Sequence, residues 1–525
     1  MRLTAFISIG LLASAAGCFA GNETSRRTLV DSRDTYDPRS LDPALSTDVP
    51  TGRAVAYVFD GLTAFGPDAS VQPGLATRWD LKPGAQPTWT FHLRRGVRFH
   101  DGTPFTAHHV IASWHRALDP ATKGGRADPL LPIVGARDFA AGKSRAIRGL
   151  SAPNDSTIAV TLEQPLGIFP KLLAMPVASI VPDDLKADRP VGTGPWRFVE
   201  WRHDDYLLFA RNDSYWGGAP RSDSLRARVI AEPSTAVAEF ESGNVDILLV
   251  PPGDARRWQD NPRAVMMSVP ALQLVYVGIN TMRGPLRDKR VRQAINHAIN
   301  RAEIVERLVG GRGRLAAGVI PPSLGGADTA RAGYAFDVAR AKQLLSDAGH
   351  PNGIDVELWV GANPTYQRIA EAIQGHLALA GIRARIVQRE SAAAREASRA
   401  GQTDMILKDW YADYPDAENF LGPLLHSANK GVGGNVSFYA SADFDRQVTT
   451  ARAEPDEARR NSLYRRADSL AFDDAPMVFL WFYNELYAVQ RRLSGWTPPV
   501  IFNGQRWLTA ENAGNGGRKA EGRRP

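Results

Sequence analysis

Residues 354–411 read IDVELWVGANPTYQRIAEAIQGHLALAGIRARIVQRESAAAREASRAGQTDMILKDWY. Three runs, IDVELWV, IRARIVQ and TDMILKDW, have the length and the β-branched, apolar content of strands. Between them TYQRIAEAIQGHLALAG and SAAAREASRAG read as helices, each stopping at a glycine. Just upstream, Asp337 caps a further helix, VARAKQLLSDAG, which ends at Gly349. Strands alternating with helices of this length make βαβ units, and so a mostly parallel sheet.

The last of these strands runs into KDWYADYPDAENF, residues 408–420. Trp410, Tyr411, Tyr414 and Phe420 are set there among Asp409, Asp413, Asp416 and Glu418. Open α/β sheets bind ligands just beyond the C-terminal ends of their strands, so this stretch is a candidate site. Its acids could be catalytic, bind metal, or receive a positively charged ligand between aromatic walls.

The rest of the chain narrows the choice. With 525 residues it exceeds one ordinary core, so two or more domains are expected. Net charge is +7 and the isoelectric point about 9.5, but Lys and Arg are dispersed, which reads as a solvated basic surface and not a nucleic-acid site. No G-x-S-x-G, H-E-x-x-H, S-x-x-K or Walker loop is present. VGTGPWRFVEW (191–201) lacks the helix a phosphate loop needs, and GGRGRLAAG (310–318) follows a helix where a nucleotide motif must follow a strand. TWTFHL (88–93) alternates as a strand; Thr106 caps AHHVIASWHRAL, on which His108 and His109 read as solvated surface residues. Asn300 and Glu303 suggest a capping box.

The single cysteine, Cys18, excludes internal disulfides and multi-cysteine zinc sites. It closes MRLTAFISIGLLASAAGC, a signal peptide too short to span a bilayer, and no later apolar run is long enough to do so. The small residues ending at a cysteine resemble a bacterial lipobox, with Ala15 where that pattern prefers Leu. Lipid attachment at Cys18 is the expectation, and an ordinary signal peptide the alternative. Residues 19–35 read as a polar tether and 512–525 as a disordered tail.

LDPALSTDVPTGRAVAYVFDGL, WTFHLRRGVRFHDGTPFTAHHVIASW, VGTGPWRF, YVGINTMRGPLRDKRVRQAINHAINR, ARAKQLLSDAG and DWYADYPDAENF follow one another in this order. In these segments, from about Leu41 to about Tyr487, the chain resembles the bacterial extracellular solute-binding proteins of the peptide and nickel class. These are the oligopeptide- and dipeptide-binding proteins of ABC importers. The resemblance implies an α/β, two-lobed periplasmic-binding-protein fold with a hinge, mixed sheets flanked by helices, and an extra domain in the N-terminal half. Lobe 1 would be residues 36–65, 188–278 and 485–511, the extra domain 66–187, and lobe 2 residues 279–484. The hinge would be two crossovers, near Val277–Asn280 and Phe482–Leu486.

The resemblance also implies the site. Asp413 would pair with a peptide's α-ammonium group, Trp410 and Tyr411 would wall the cleft, and the backbone around Asp409–Tyr411 would pair with the extended peptide. Thr47, Asp48 and Val49 match the loop meeting the peptide's main chain, and Tyr276 a cleft-lining tyrosine. Asp416 reads as a turn or helix cap. Arginines that some relatives carry are replaced by Ser398, Leu407 and Val360, leaving Arg395, Arg399 or Lys408 as candidates to meet a carboxylate. The expected function is a monomeric, exported receptor, lipid-anchored through Cys18, that delivers short peptides to an ABC permease without a cofactor or resident metal. The alternatives are a same-fold receptor for a nickel chelate, opine or oligosaccharide, and a hydrolase using Asp413 and Asp416.

Overall fold

The computed structural model describes residues 28–512 except 125, 252, 253, 255, 256, 259 and 260. Cys18 and the tail beyond residue 512 lie outside the described residues. The 354–411 alternation folds as read. Strand Ile354–Gly361 runs parallel to Ile382–Arg389 on one side and to Met405–Tyr411 on the other. Helices Pro364–Leu379 and Ser391–Arg399 make the crossovers. Asn363 begins the first helix by accepting from the backbone N–H groups of Thr365 and Tyr366 at 3.0 and 3.1 Å. Ile369, Ile373 and Leu377 recur at helical spacing and are fully buried with Leu358, Val360 and Ile382.

Parallel pairing stops at Met405–Tyr411. Its other neighbour, Ala264–Ile279, is antiparallel to it, and so is the next strand, Met477–Gln490, to Ala264–Ile279. These two strands, 16 and 14 residues long, continue into the other half of the molecule. There the sheet adds Ile247–Leu249, Thr28–Asp34, Ser224–Val229, Tyr206–Arg211 and Trp196–Arg202, in that order. One 11-stranded mixed sheet therefore carries both halves. Residues on either side pack separate cores, one around Val291, Ile295, Leu358 and Ile373, the other around Leu29, Val58, Phe209 and Trp507.

Thr28–Asp34 corrects the tether assignment for its last part. The segment is an interior strand, paired in parallel with Ser224–Val229 and with Ile247. Its polarity misled because its charges are paired inside the fold: Asp31 and Arg33 bridge at 2.7 Å with their side chains 1–2% exposed, while Leu29 is fully buried.

The extra domain is a four-stranded antiparallel sheet in the order Ala76–Lys82, Thr88–Leu93, Thr157–Thr161, Leu150–Asn154. Trp89, Phe91 and Leu93 point inward toward helix Ala107–Leu118, which contributes Val110 and Trp114. His109 is buried here, not solvated: its Nδ1 accepts from the Thr106 N–H at 3.2 Å and closes the start of the helix. VGTGPW threads tightly past helix Val49–Val58, and a Cβ at Gly192 would stand 2.0 Å from the Val58 carbonyl oxygen. The glycine is required by close approach. No helix among the described residues is long and apolar enough to cross a membrane.

Candidate functional site

The strand Met405–Tyr411 sets the site through its register. Tyr411, Trp410 and Asp409 lie opposite Gln273, Leu274 and Val275, and the Ala412 N–H donates to the Leu272 carbonyl at 2.9 Å. In an antiparallel ladder alternate residues point their backbone groups to the same neighbour. Trp410 and Lys408 therefore face Ala264–Ile279, while Asp409 and Tyr411 face the opposite edge. Strand Ile354–Gly361 runs along that edge at the start of the strand, with Leu358 and Trp359 in register with Met405 and Ile406. Among the described residues no strand pairs with that edge at Asp409 and Tyr411, so their N–H and C=O groups form an open edge at the C-terminal end of a parallel strand.

Side chains alternate too. Asp409 is exposed and accepts from Gln273 Nε2 at 2.8 Å. Burial and the Asp409 charge push the Tyr366 phenol above its usual range. Gln273 and Tyr366 both line a cavity of about 370 Å³ with Arg33, Arg312, Tyr483 and Glu485, drawn from both halves of the sheet. Tyr411, on the same face, is turned toward lobe 1; burial and Glu485 raise its phenol, against Arg53 and Arg33.

On the other face, Trp410 is half-buried against the core around Leu274 and Phe420, and its Nε1 donates to the Asn419 carbonyl at 2.8 Å. Lys408 lies beside it, and its pKa falls to about 8 through burial and the charges of Arg399 and Arg395. Asp409, the one opposing charge in that balance, offsets these least. A buried amine among cations is a place for an anion.

Asp413 follows the strand. Its N–H donates to Asn419 Oδ1 at 2.8 Å. Its carboxylate is held by both Nη atoms of Arg126, a residue of the extra domain, at 2.9 and 2.6 Å. Asp416 is 3% exposed, accepts from the Glu418 N–H at 3.0 Å and bridges Lys171 at 2.7 Å. It braces the turn, as its sequence context suggested. Asp413 and Asp416 each answer a different cation, which leaves no carboxylate pair facing one reacting group.

Two assigned residues take other roles in this structure. Tyr276 is 1% exposed and packs in the core with Leu274 and Phe479, so it does not wall the cleft here. Its strand places it on an inward face, a fact that local sequence does not encode. Asp48 is the N-cap of helix Val49–Val58, accepting from the Thr51 N–H at 2.9 Å and the Thr51 hydroxyl at 3.0 Å. Thr47 and Val49 flank it, half-buried. Nearby, burial together with Asp31 and Asp48 raises Asp34 to about 6 despite Arg53.

Sequence reasoning missed Arg126, Arg33, Gln273, Tyr366 and Tyr483. Arg126 is 287 residues from Asp413, and no local pattern links them. Among the described residues no group of three or more His, Cys, Asp or Glu side chains could hold a metal ion.

Comparison with known proteins gives the family of the chain. The chain is 30% identical to the di/tripeptide-binding protein 2 of Pseudomonas aeruginosa, over 94% of this chain and 97% of that one. It is 29% identical to the heme-binding protein A of Haemophilus influenzae, over 84% of each. The periplasmic binding protein DppA of Helicobacter pylori, solved with the peptide STSA, superposes with a TM-score of 0.74 at 28% identity, over 93% of this chain and 99% of that one. Residues 70–432 match the family model described as bacterial extracellular solute-binding proteins, family 5 Middle, and the chain belongs to that family.

Proposed function

We propose that this protein captures short peptides between its lobes and delivers them to an ABC permease. The observation that carries this reading is the open edge of Asp409 and Tyr411, which leads to the Asp413 carboxylate. An extended peptide laid along the edge adds a strand, so main-chain hydrogen bonds supply affinity without reading sequence. Its α-ammonium then meets Asp413. Its carboxylate, at the other end, meets the cations Lys408, Arg395 and Arg399. A strand rises about 3.3 Å per residue, so the span from Ala412 to Lys408 is roughly 13 Å, suited to three or four extended residues. The di/tripeptide-binding relative and the peptide-bound neighbour support this ligand class. The receptor works as a monomer outside the cytoplasm, held to the membrane through a lipid on Cys18, with Thr47 and Val49 on the lobe 1 side of the peptide. The heme-binding relative favours a second reading, a non-peptide solute in the same cleft.

Thermal melting of residues 19–525 with short peptides, free and N-acetylated, tests the proposal. A ligand at a hundred times its Kd adds about 2.7 kcal/mol of stability. Free peptides are expected to raise Tm and acetylated ones not to. Asp413→Asn should weaken free peptides tenfold or more, about 1.4 kcal/mol. Equal shifts from both peptide forms would refute amine capture; no shift from either would favour the non-peptide solute, identified by the mass of what co-purifies.

A further inference from the structure

Lys171 and Gly167 belong to the extra domain but meet lobe 2. A single helical turn, Phe169–Leu172, buries Phe169 and Leu172 in the extra-domain core and leaves Lys171 outside it. The Lys171 Nζ donates to Asp416 Oδ2 at 2.7 Å and to the Pro415 carbonyl at 3.3 Å. Beside it the Gly167 N–H donates to the Arg452 carbonyl at 2.9 Å, and a Cβ at Gly167 would stand 2.0 Å from the Glu454 carbonyl oxygen. Asp416 has little else to answer its charge. Its side chain is 3% exposed, and Oδ1 accepts from the Glu418 N–H. The cation of its own lobe, Arg460, keeps its Nε 4.0 Å away while its Nη1 donates to the Glu454 and Pro455 carbonyls.

The extra domain is fastened to lobe 1. Arg116 Nη1 donates to Asp42 Oδ1 at 2.8 Å, the Ile180 N–H to the Asp60 carbonyl at 2.8 Å, and Thr63 Oγ1 to the Pro170 carbonyl, next to Lys171 itself, at 2.7 Å. The lobes are joined through the strands Ala264–Ile279 and Met477–Gln490. A hinge motion about those strands that parts the lobes therefore carries Lys171 and Gly167 away from lobe 2. Their contacts join protein groups to protein groups, so they favour the closed form with or without a ligand.

We propose that Lys171 and Gly167 make the extra domain a clasp, which holds the receptor closed and so sets ligand affinity from outside the cleft. Neither residue lines the cavity between the lobes. Lys171 acts by charge: without it, closure buries the Asp416 carboxylate with no cation nearer than Arg460. Gly167 acts by size, because only a residue without a Cβ lets the two backbones meet there. The Arg126–Asp413 pair crosses the same junction, but Asp413 belongs to the ligand site, so the test leaves that pair intact. The inference rests on the reading that ligand is taken up between the lobes.

Residues 19–525 contain no cysteine, so spin labels on Lys143→Cys in the extra domain and Ser462→Cys in lobe 2, both exposed positions, report the gap directly. Without ligand, the parent is expected to show mainly the short separation of this structure. Lys171→Ala should lower the ratio of closed to open receptor by about tenfold or more, and Lys171→Arg, which keeps the charge, should fall between. Gly167→Ala should open the receptor as well, without altering any charge; the Gly167 backbone lies outside the left-handed region, so alanine fits it in the open form. Calorimetric titration with trialanine should show affinity falling with the closed fraction in each variant. A cooperative melt of each variant confirms its fold. A ligand-free parent that is mainly open, or distances unchanged in both Lys171→Ala and Gly167→Ala, overturns the clasp. Longer distances with unchanged trialanine affinity overturn its control of binding. The distances are read without ligand, so a failed clasp is told apart from failed peptide capture.

Discussion

Lys408 shows how one side chain reports on the site. Its lowered pKa means that folding costs free energy whenever the amine is charged. The folded value, about 8, lies below the ordinary lysine value, so the folded state holds fewer protons than the unfolded state between pH 8 and about 10.4. The penalty is fully present below pH 8 and is relieved as pH rises through that window. Lys408→Met should therefore raise stability by about 1–3 kcal/mol at pH 7, with a smaller gain at pH 10. Paired melts at the two pH values check this, and an equal gain at both would remove the burial argument. The same group should make carboxylate-ended peptides bind more weakly above pH 8 than at pH 7, since the neutral amine no longer attracts them. At this scale the family resemblance points to Asp413, and Lys408 is one of three candidate cations beside Arg395 and Arg399. The sequence could not say that Arg126 would occupy Asp413, or that Arg395 and Arg399 would depress Lys408. The first effect joins segments 287 residues apart, and the second depends on how the helix Ser391–Arg399 folds back against the strand Met405–Tyr411.

Elements were read most securely where periodicity and punctuation agreed. TYQRIAEAIQGHLALAG, stopping at Gly381, folds as the helix Pro364–Leu379, whose start the structure caps with Asn363. Thr28–Asp34 failed that test: its TLVDSRD carries two acids and an arginine, and strands are not recognised by charge pairs that close on themselves. The structure makes it an interior strand, so its removal opens two ladders at once. Deleting residues 1–27 should leave the melting temperature within a degree or two, whereas deleting residues 1–34 should abolish cooperative folding of lobe 1, by loss of Leu29 burial and of the Asp31–Arg33 pair. Circular dichroism melts of the two truncations decide it; a stable protein lacking residues 28–34 would return that segment to the role of tether.

Among the described residues, contacts at two places tie the parts of the molecule together. Ala264–Ile279 and Met477–Gln490 pair with each other and reach into both halves of the sheet. At the far rim the extra domain grips the 413–416 segment through Arg126–Asp413 and Lys171–Asp416, and the Gly167 N–H donates to the Arg452 carbonyl at 2.9 Å. Trp481, fully buried on one long strand, packs in the lobe 2 core opposite Val275. Trp481→Ala should cost about 3–5 kcal/mol. Because its strand is shared, the whole chain should still melt in one transition, shifted down; two separated calorimetric peaks would show the lobes to be independent.

By itself, the amino-acid sequence determined the alternation of strands and helices in 354–411, the parallel corner it builds, and the placing of an acidic-aromatic segment at that corner's ligand-binding edge. These follow from period, length and turn chemistry, which are local properties of the chain. Only the tertiary structure decided that the sheet turns antiparallel beyond Met405–Tyr411, that Asp409 and Tyr411 keep an open edge, that Tyr276 is core, and that Arg126 meets Asp413. Register, burial and cross-lobe ion pairs belong to the contacts between segments, and each is settled only when those segments are folded against one another.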